Sequence, residues 1–367
     1  MQLVINTYGS YLQKSGDCFK IKKEEQTFEV SVKKVSSILI TTAAYITTDA
    51  IKLAMDHNID IVFLDKFGEP YARVWHSKLG STTLIRRRQL EIAETDQGLK
   101  LALSWITKKF DNQIDFLKRL RKTRTPKSAE ITAYVDKVNN CKKSLDRLSG
   151  NIDEMRGTIM GIEGSAGRIY FECLSFLIPD RYKFNGRSRN PAKDEFNTLL
   201  NYAYGILYSR VEKACIIAGL DPYVGIIHTD NYNKKSFVFD LIENFRIWAD
   251  ETVINLFAGR KVKQEHFDKL RNGFTLNKDG KALLVEAFIA FLNEPIRYKG
   301  RNIKREDIIQ FECHKIANRL IEGQRAEDRE QKTENRRQKT ENRRQRTEDR
   351  EQKTENRKQR TEDRRQK

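Results

Sequence analysis

The hydrophobic pattern changes from a two-residue to a helical period shortly after His76, and this change constrains the fold more than any other sequence feature. Before it, short runs such as CFKIK and TFEVSV alternate apolar and polar residues, which is typical of strands joined by hairpins. After it, apolar residues recur at helical spacing with few Gly or Pro residues between them. The chain is therefore predicted to be an α+β multidomain protein, a small N-terminal β-rich domain followed by a larger all-α domain.

Four segments are predicted from these patterns. They are a β-rich domain over residues 1–76, a linker with the first helix over 77–95, an α-helical domain over 96–323, and a charged tail over 324–367. The β-rich domain includes one helix, in TTDAIKLAMDHNI, with Thr47 or Thr48 as its N-cap. Later helices are predicted over residues 194–219, 240–257, 281–293 and 304–322.

The tail consists of seven-residue repeats such as REQKTEN and RRQKTEN. A period of seven suggests a coiled coil, but a coiled coil needs two apolar positions in every heptad and these repeats have none. Disorder is therefore predicted for residues 324–367. A dispensable tail and a basic DNA-binding arm remain alternatives.

The formal charge of the chain is +18 at pH 7. Residues 324–367 hold 17 Lys and Arg against 11 Asp and Glu, and the rest of the chain holds 52 against 40. A basic body predicts a polyanionic partner, with nucleic acid first, because phosphate neutralisation supplies most nonspecific affinity. The alternative is a soluble protein with a high pI and no such partner.

The five cysteines are widely spaced and form no CxxC pair, which favours reduced thiols in a cytoplasm over a disulfide framework or a zinc ribbon. No apolar stretch approaches the roughly 20 residues that span a bilayer, so no membrane partner is expected. No signal peptide is expected either, because polar residues interrupt the first apolar run.

The segment TIMGIEGSAGRIYFECL places Glu163 on a helix among small and apolar residues. Each glycine in a helix costs roughly 1 kcal/mol relative to Ala. Tight helix packing would justify these glycines, and so would access for a bulky ligand to Glu163. A carboxylate on such a face needs a partner, because an unpaired buried charge is expensive.

The segment GIIHTDNYNKKSFVFDLIENFR sets His228 at the boundary between an apolar run and a polar loop, followed by Asp240 and Glu243. The two acids are three positions apart, on one face of a helix. Asp240 could instead serve as an N-cap or first-turn acid, and His228 as a hydrogen-bonded core residue. Arg246 could orient either acid or bind a phosphate.

One imidazole and two or three carboxylates from separate segments suit a hard divalent cation, Mg²⁺ or Mn²⁺. Such an ion activates a hydroxyl or water and neutralises charge on a phosphate. Glu163 and His228 are 65 residues apart, so only the fold can bring them together. Spacing alone makes this a weak prediction.

The loop RYKFNGRSRNPAK interleaves basic residues with Tyr182 and Phe184. Phosphate contacts and base stacking would make it a nucleic-acid contact, and a solvated charged loop is the alternative. Together with Arg246, the candidate DNA contacts are Arg187, Arg189 and Lys193. Asn197, on the following helix, is predicted to tie the loop down.

Several segments together resemble the CRISPR-associated spacer-acquisition integrase, the first-numbered Cas protein family, which is also described as a metal-dependent DNA endonuclease. The segments are GIEGSAGRIYFECL, FNGRSRNPAKDEFNTLLNYAYGILYSRVEKACIIAGLDPYVGIIH, FVFDLIENFR and, near the N-terminus, TTDAIKLAMDHNIDIVFLDKFGEPYARV. The resemblance covers residues 1–322, and the repeat tail has no counterpart in the family.

The resemblance implies that Glu163, His228 and Glu243 bind Mg²⁺ or Mn²⁺ and that Asp240 supports them in the catalytic site. It implies a homodimer formed through the β-rich domains, and a complex with the small ferredoxin-like companion, the second-numbered Cas protein. It also implies integration of double-stranded protospacer DNA, with a 3′-OH attacking a phosphodiester of a CRISPR repeat. A structure-specific repair nuclease and a non-catalytic basic DNA-binding protein are the rival hypotheses.

Overall fold

The computed structural model describes residues 2–23, 25–35, 37–57, 59–68, 70–74, 83–189, 191–229 and 234–322. In these ranges the strands are β1 (Gln2–Ile5), β2 (Ser10–Ser15), β3 (Cys18–Lys23), β4 (Gln26–Ser31), β5 (Ser37–Ile40), β6 (Ala44–Ile46), β7 (Asp60–Leu64), β8 (Pro70–Val74), β9 (Phe267–Leu270), β10 (Gly273–Leu276), β11 (Pro295–Tyr298) and β12 (Arg301–Lys304). The helices are α1 (Thr48–Asp56), α2 (Thr83–Ala93), α3 (Asp96–Thr123), α4 (Ser128–Leu145), α5 (Ile152–Leu177), α6 (Glu195–Ala218), α7 (Ser236–Ile242), α8 (Arg246–Ala258), α9 (Lys278–Asn293) and α10 (residues 305–322).

The N-terminal region contains two four-stranded sheets and α1. One sheet has the order β1-β5-β7-β8, in which the first three strands are parallel and β8 is antiparallel. The other has the order β4-β3-β2-β6, and its β3–β4 pair is the hairpin predicted from the alternating runs. Alternate residues of the strands, such as Phe19, Ile38 and Ile61, form a core with Ala50 of α1. The Thr47 side chain caps α1 by accepting a hydrogen bond from the Ala50 N–H.

The region that follows is mostly helical, which confirms the predicted fold class. The long helix α3 buries Trp105, Phe110, Ile114 and Leu117 along one face, as its period predicts. The helix α6 is buried on nearly every side and packs against α7, α8 and α9, so it is the centre of this region. It ends at Gly219, whose φ of +81° is a left-handed conformation that glycine adopts without strain.

Two short antiparallel hairpins, β9–β10 and β11–β12, interrupt the helical region and were not predicted. The second turns at Lys299 and Gly300, whose φ values are +48° and +82°. Positive φ at both central residues matches the right-handed twist of a two-residue hairpin. The predicted helix over 240–257 is also wrong as one element, because α7 and α8 are separated at Glu243–Phe245.

An ion-pair cluster joins the strand-rich region to α6. Arg73 Nη1 is 2.9 Å from Asp60 Oδ2, and Arg73 Nη2 donates a 2.6 Å hydrogen bond to the Ser209 carbonyl oxygen. Lys213 pairs with the other oxygen of Asp60 at 2.8 Å. These charges are largely buried, so each depends on its partners to offset the loss of water.

The chain divides into two compact units, Met1–Lys315 and Ile316–Lys367. The sites described below lie in the first unit. The predicted domain boundaries stay a prediction, and the tail over 324–367 lies outside the described residues. All five cysteines are free thiols. None of the helices in the described ranges has the length and apolar content needed to cross a bilayer.

Candidate active site

A cavity of about 780 Å³ in the helical region brings the predicted ligands to one wall. Glu163 comes from α5, His228 from the loop before α7, and Glu243 from the position that directly follows α7. Side chains of α3, α6 and α8 also line the cavity. Because residues from such distant segments meet here, the tertiary fold and not local spacing creates the site.

The two glutamates meet at the ammonium group of Lys109, which projects from α3. Lys109 Nζ forms a short ion pair with Glu163 Oε1 and lies 2.6 Å from Glu243 Oε2. The Lys109 side chain is only 9% exposed, whereas Glu163 is one-third exposed. Burial lowers the pKa of Lys109, but the attraction of Glu243 and Glu163 outweighs burial and raises it, so this lysine stays charged.

Glu243 is a buried carboxylate held between two cations. Arg246 Nε donates a 2.8 Å hydrogen bond to Glu243 Oε1, and Lys109 lies beside Oε2. Burial alone would raise the pKa of Glu243, but Arg246 and Lys109 lower it to about 2. Each carboxylate oxygen of Glu243 therefore faces its own cation, Oε1 the Arg246 guanidinium and Oε2 the Lys109 ammonium.

Asp240 orients His228. Its buried carboxylate accepts hydrogen bonds from the backbone N–H groups of Ile226 at 2.6 Å, Ile227 at 3.0 Å and His228 at 3.0 Å. Asp240 Oδ1 also lies 2.6 Å from His228 Nδ1, so Nε2 is the ring nitrogen that Asp240 leaves available. The alternative of an N-cap or first-turn acid is wrong, because Asp240 lies in the last turn of α7.

Metal coordination itself stays a prediction. In the parts of the chain that the structure covers, no three His, Cys, Asp or Glu side chains form a group ready to hold a metal ion. Glu163 and Glu243 converge on Lys109, and His228 lines the same cavity without contacting either acid directly. The donor types nevertheless fit Mg²⁺ or Mn²⁺, and both carboxylates already converge on a cation, the ammonium group of Lys109.

Comparison with models of protein families identifies the family of this chain. The model of CRISPR associated protein Cas1 matches residues 3–290. The chain belongs to the Cas1 family. Among curated Cas1 proteins, it is 33% identical over 345 residues to CRISPR-associated endonuclease Cas1 1 of Archaeoglobus fulgidus, which covers 90% of this chain and 100% of that protein.

Solved structures share the Cas1 fold described above. A casposase bound to an integration product superimposes with a TM-score of 0.76 and 23% identity, covering 87% of this chain and 90% of that one. A Cas6-RT-Cas1–Cas2 complex gives a TM-score of 0.74 and 18% identity, covering 88% of this chain and 35% of that one. At these identities the similarity establishes the fold alone.

In this Cas1 family member, the predicted DNA contact Arg187 has a structural role. Its two Nη atoms donate to the side-chain oxygens of Asn197 and Asn201, and its guanidinium lies over the rings of Phe171 and Tyr204. As predicted, Asn197 ties the loop down: its Nδ2 donates a 3.0 Å hydrogen bond to the Gly186 carbonyl oxygen. A DNA contact by Arg187 stays a prediction.

The other predicted contacts differ in position. Arg189 and Arg246 line the cavity, whereas Lys193 does not. The prediction that Tyr182 and Phe184 stack on bases is wrong, because both rings are buried. Phe184 stacks on Phe196 with ring centroids 4.0 Å apart, and Tyr182 packs against Phe257. These aromatic residues anchor the loop to the core.

Sequence reasoning missed a second group of residues behind Arg246. The Arg246 guanidinium lies 4.7 Å from the centroid of the Tyr204 ring, and the Tyr204 hydroxyl donates a 2.6 Å hydrogen bond to Asp250. Asp250 also accepts a 3.0 Å hydrogen bond from Tyr170. Burial raises the pKa of Asp250 to about 6. This group fixes Arg246, which in turn holds Glu243.

Lys109 was also missed, although the sequence contains a signal for it. Lys109 and Gln113 are one turn apart on α3, and both interrupt the apolar stripe that includes Trp105 and Phe110. Both are buried in the structure and line the cavity. Polar residues on the buried face of an amphipathic helix indicate a partner in the interior or a ligand.

The glycines of α5 do not support helix packing. A Cβ atom added at Gly157, Gly161, Gly164 or Gly167 would meet no described atom within 4 Å apart from its chain neighbours and the nearby backbone of α5 itself. Of the two explanations for these glycines, tight packing is therefore wrong at these four positions. Their helix-propensity cost of about 1 kcal/mol each is not offset by packing there.

Proposed function

We propose that this Cas1 family member is a metal-dependent DNA endonuclease and integrase that inserts spacers into CRISPR arrays. The observation that carries the proposal is the meeting of Glu163, His228 and Glu243 on the wall of one cavity. The endonuclease name of the Archaeoglobus relative and the integration product in the casposase structure support the same activity.

Glu163, Glu243 and Nε2 of His228 would hold the ion. Asp240 keeps the imidazole oriented, and Arg246 keeps one oxygen of Glu243 engaged so that the other stays fixed. A bound Mg²⁺ or Mn²⁺ would lower the pKa of the attacking hydroxyl group and would stabilise negative charge on the phosphate.

In integration, the 3′-OH oxygen of the incoming DNA bonds to a repeat phosphorus while the bond from that phosphorus to the repeat strand's 3′ oxygen breaks. The proton of the attacking hydroxyl is released and the leaving oxygen takes up a proton, so the reaction balances without another reactant. Water in place of the 3′-OH gives hydrolysis. Arg189 and Lys234 on the cavity wall would neutralise the phosphates of the bound DNA.

We also propose a homodimer formed through the strand-rich region. Tyr11 and Tyr45 are paired on neighbouring strands β2 and β6, and their rings stack with centroids 5.8 Å apart. Tyr45 is 64% exposed and Tyr11 is 39% exposed. Adjacent exposed aromatic rings are typical of protein interfaces. The Cas2 protein in the neighbouring Cas6-RT-Cas1–Cas2 complex supports a Cas2-type companion for this chain.

A strand-transfer assay tests the function. It uses a plasmid carrying a CRISPR repeat, short duplexes with free 3′-OH ends, Mn²⁺ and the companion protein. Wild type should give joined products, whereas Glu163→Gln and His228→Ala should lose them by at least about 100-fold while still binding DNA. Hydrolysis without joined products would indicate a repair nuclease, and unchanged joining by both variants would contradict the assigned site.

A further inference from the structure

Four glycines form one bare side of α5. Gly157, Gly161, Gly164 and Gly167 are spaced by four, three and three residues, which puts them on the same side of a helix. The first three are exposed and the last is half-buried. A side chain at any of them would meet open space, as far as the described residues extend. No described element therefore covers this side.

The bare side leads into the candidate active site. Gly164 and Gly167 line the cavity together with Glu163, whereas Gly157 and Gly161 lie outside its lining. A molecule lying along α5 would thus pass from the exposed surface to the catalytic acid. Glycine allows the closest approach of another molecule to a helix backbone, because no Cβ atom stands in the way.

A buried acceptor in the lining of the same cavity indicates that a ligand enters there. Gln113 Oε1 is buried and receives no hydrogen bond from the residues that the structure describes. The Gln113 side chain is 4% exposed. A buried polar atom normally has a partner, so an atom without one marks a place that a molecule from outside the chain completes. This observation is independent of the glycines.

The charges beside the glycines indicate an anionic ligand. Arg168 lies one turn after Gly164, is exposed, lines the cavity and forms no ion pair within the described ranges. Arg189 and Lys234 line the same cavity. A nucleic-acid sugar–phosphate backbone is a bulky chain of negative charges. It therefore fits a site where cations lie beside the bare side of a helix.

We propose that Gly164 and Gly167 are the surface against which the sugar–phosphate backbone of the reacting DNA strand lies as it enters the cavity. The proposal rests on the proposed function and adds its strand-positioning residues. An added methyl group at either position would leave the folded protein intact and push the strand away from α5. Arg168 would hold a phosphate of the same strand.

The experiment uses the full chain and alanine substitutions at the glycines. Gly164→Ala, Gly167→Ala and the double variant are compared with Gly157→Ala, which lies on the same bare side but outside the cavity. Thermal unfolding and the dissociation constant for a short duplex with a single-stranded 3′ overhang are measured for each. All variants should have a Tm raised by about 1–2 °C per substitution, because alanine is the better helix former.

The expected result is that the double variant binds the DNA at least about tenfold more weakly, a loss equivalent to about 1.4 kcal/mol. Gly157→Ala should bind within about twofold of wild type. Equal affinity of all variants, or a lowered Tm at Gly164 and Gly167, would overturn the proposal. If wild type itself binds no DNA, the proposed function fails; if wild type binds and the variants match it, only the strand position is wrong.

Discussion

Lys109 Nζ lies 2.6 Å from Glu243 Oε2, and the same ammonium group pairs with Glu163. A lysine that is nearly buried thus joins the two acids that are predicted to bind metal. Without it, Arg246 would be the one close cation of Glu243 among the described residues, and Glu163 would lose its partner from α3. Lys109 therefore stabilises two carboxylates of the candidate active site.

Replacing this lysine should destabilise the fold. Lys109→Met is expected to lower the free energy of unfolding by about 3 kcal/mol, because removing one partner leaves a buried charge uncompensated. Urea unfolding measures the loss. Lys108→Met is the matched control, since Lys108 is exposed on the same helix, and it should change stability by less than about 0.5 kcal/mol. Equal stability of the two variants would show that the ion pairs contribute little.

Asp240→Asn should show how far the activity depends on the orientation that Asp240 gives to the His228 ring. The asparagine has one side-chain oxygen, whereas Asp240 engages three backbone N–H groups and the His228 ring. Strand transfer is expected to fall by about 10- to 100-fold. Nitrogen NMR shifts of His228 should also report a changed tautomer balance. Asp136→Asn, at an exposed position of α4, is the control; the same activity in both variants would contradict the role given to Asp240.

The stability of the protein should depend on the ionisation of Asp250. Burial raises the pKa of its carboxyl from 3.8 to about 6, so between these values the folded state binds more protons than the unfolded state. The stabilisation that Asp250 gives by holding a proton is thus fully present below about pH 4. It is lost as the pH rises through 6, and the free energy of unfolding falls by up to about 3 kcal/mol. Wild type should lose stability relative to Asp250→Asn over this range. Unfolding at each pH tests this, and a pH-independent difference would refute it.

The proposed dimer should depend on the aromatic pair of the strand-rich region. Replacing Tyr11 and Tyr45 together by serine is expected to shift the protein to monomers, because a central aromatic contact supplies much of an interface's affinity. Sedimentation equilibrium measures the shift. Tyr71→Ser is the control, since Tyr71 is 69% exposed on β8 of the other sheet. Dimers that persist in the double variant would rule out this surface.

The sequence allowed prediction of the fold class from its hydrophobic periodicity, and its resemblance to the Cas1 family named the three residues that line the cavity. The break between α7 and α8 was not predictable from pattern. No Gly or Pro lies between Asp240 and Phe257, and the chain bends where Glu243 turns toward Lys109 and Arg246. Tertiary contacts there override a continuous helical pattern.

The basic loop shows a different limit. Its alternating basic and aromatic residues look the same in sequence whether the rings face solvent or the core. The structure buries Tyr182 and Phe184 and engages Arg187 with Asn197, because α6 and α8 offer apolar and amide partners. By contrast, the turn at Lys299 and Gly300 carries a local hairpin signal that sequence reasoning could have used.

The most direct test of the active site is calorimetric titration of the full chain with Mn²⁺, without DNA. Wild type should take up the ion, and Glu163→Gln, His228→Ala and Glu243→Gln should each weaken the uptake by at least about tenfold. Glu251→Gln, a change outside the cavity lining, should bind as wild type does. No ion uptake by wild type, or uptake unchanged in all three ligand variants, would contradict the account.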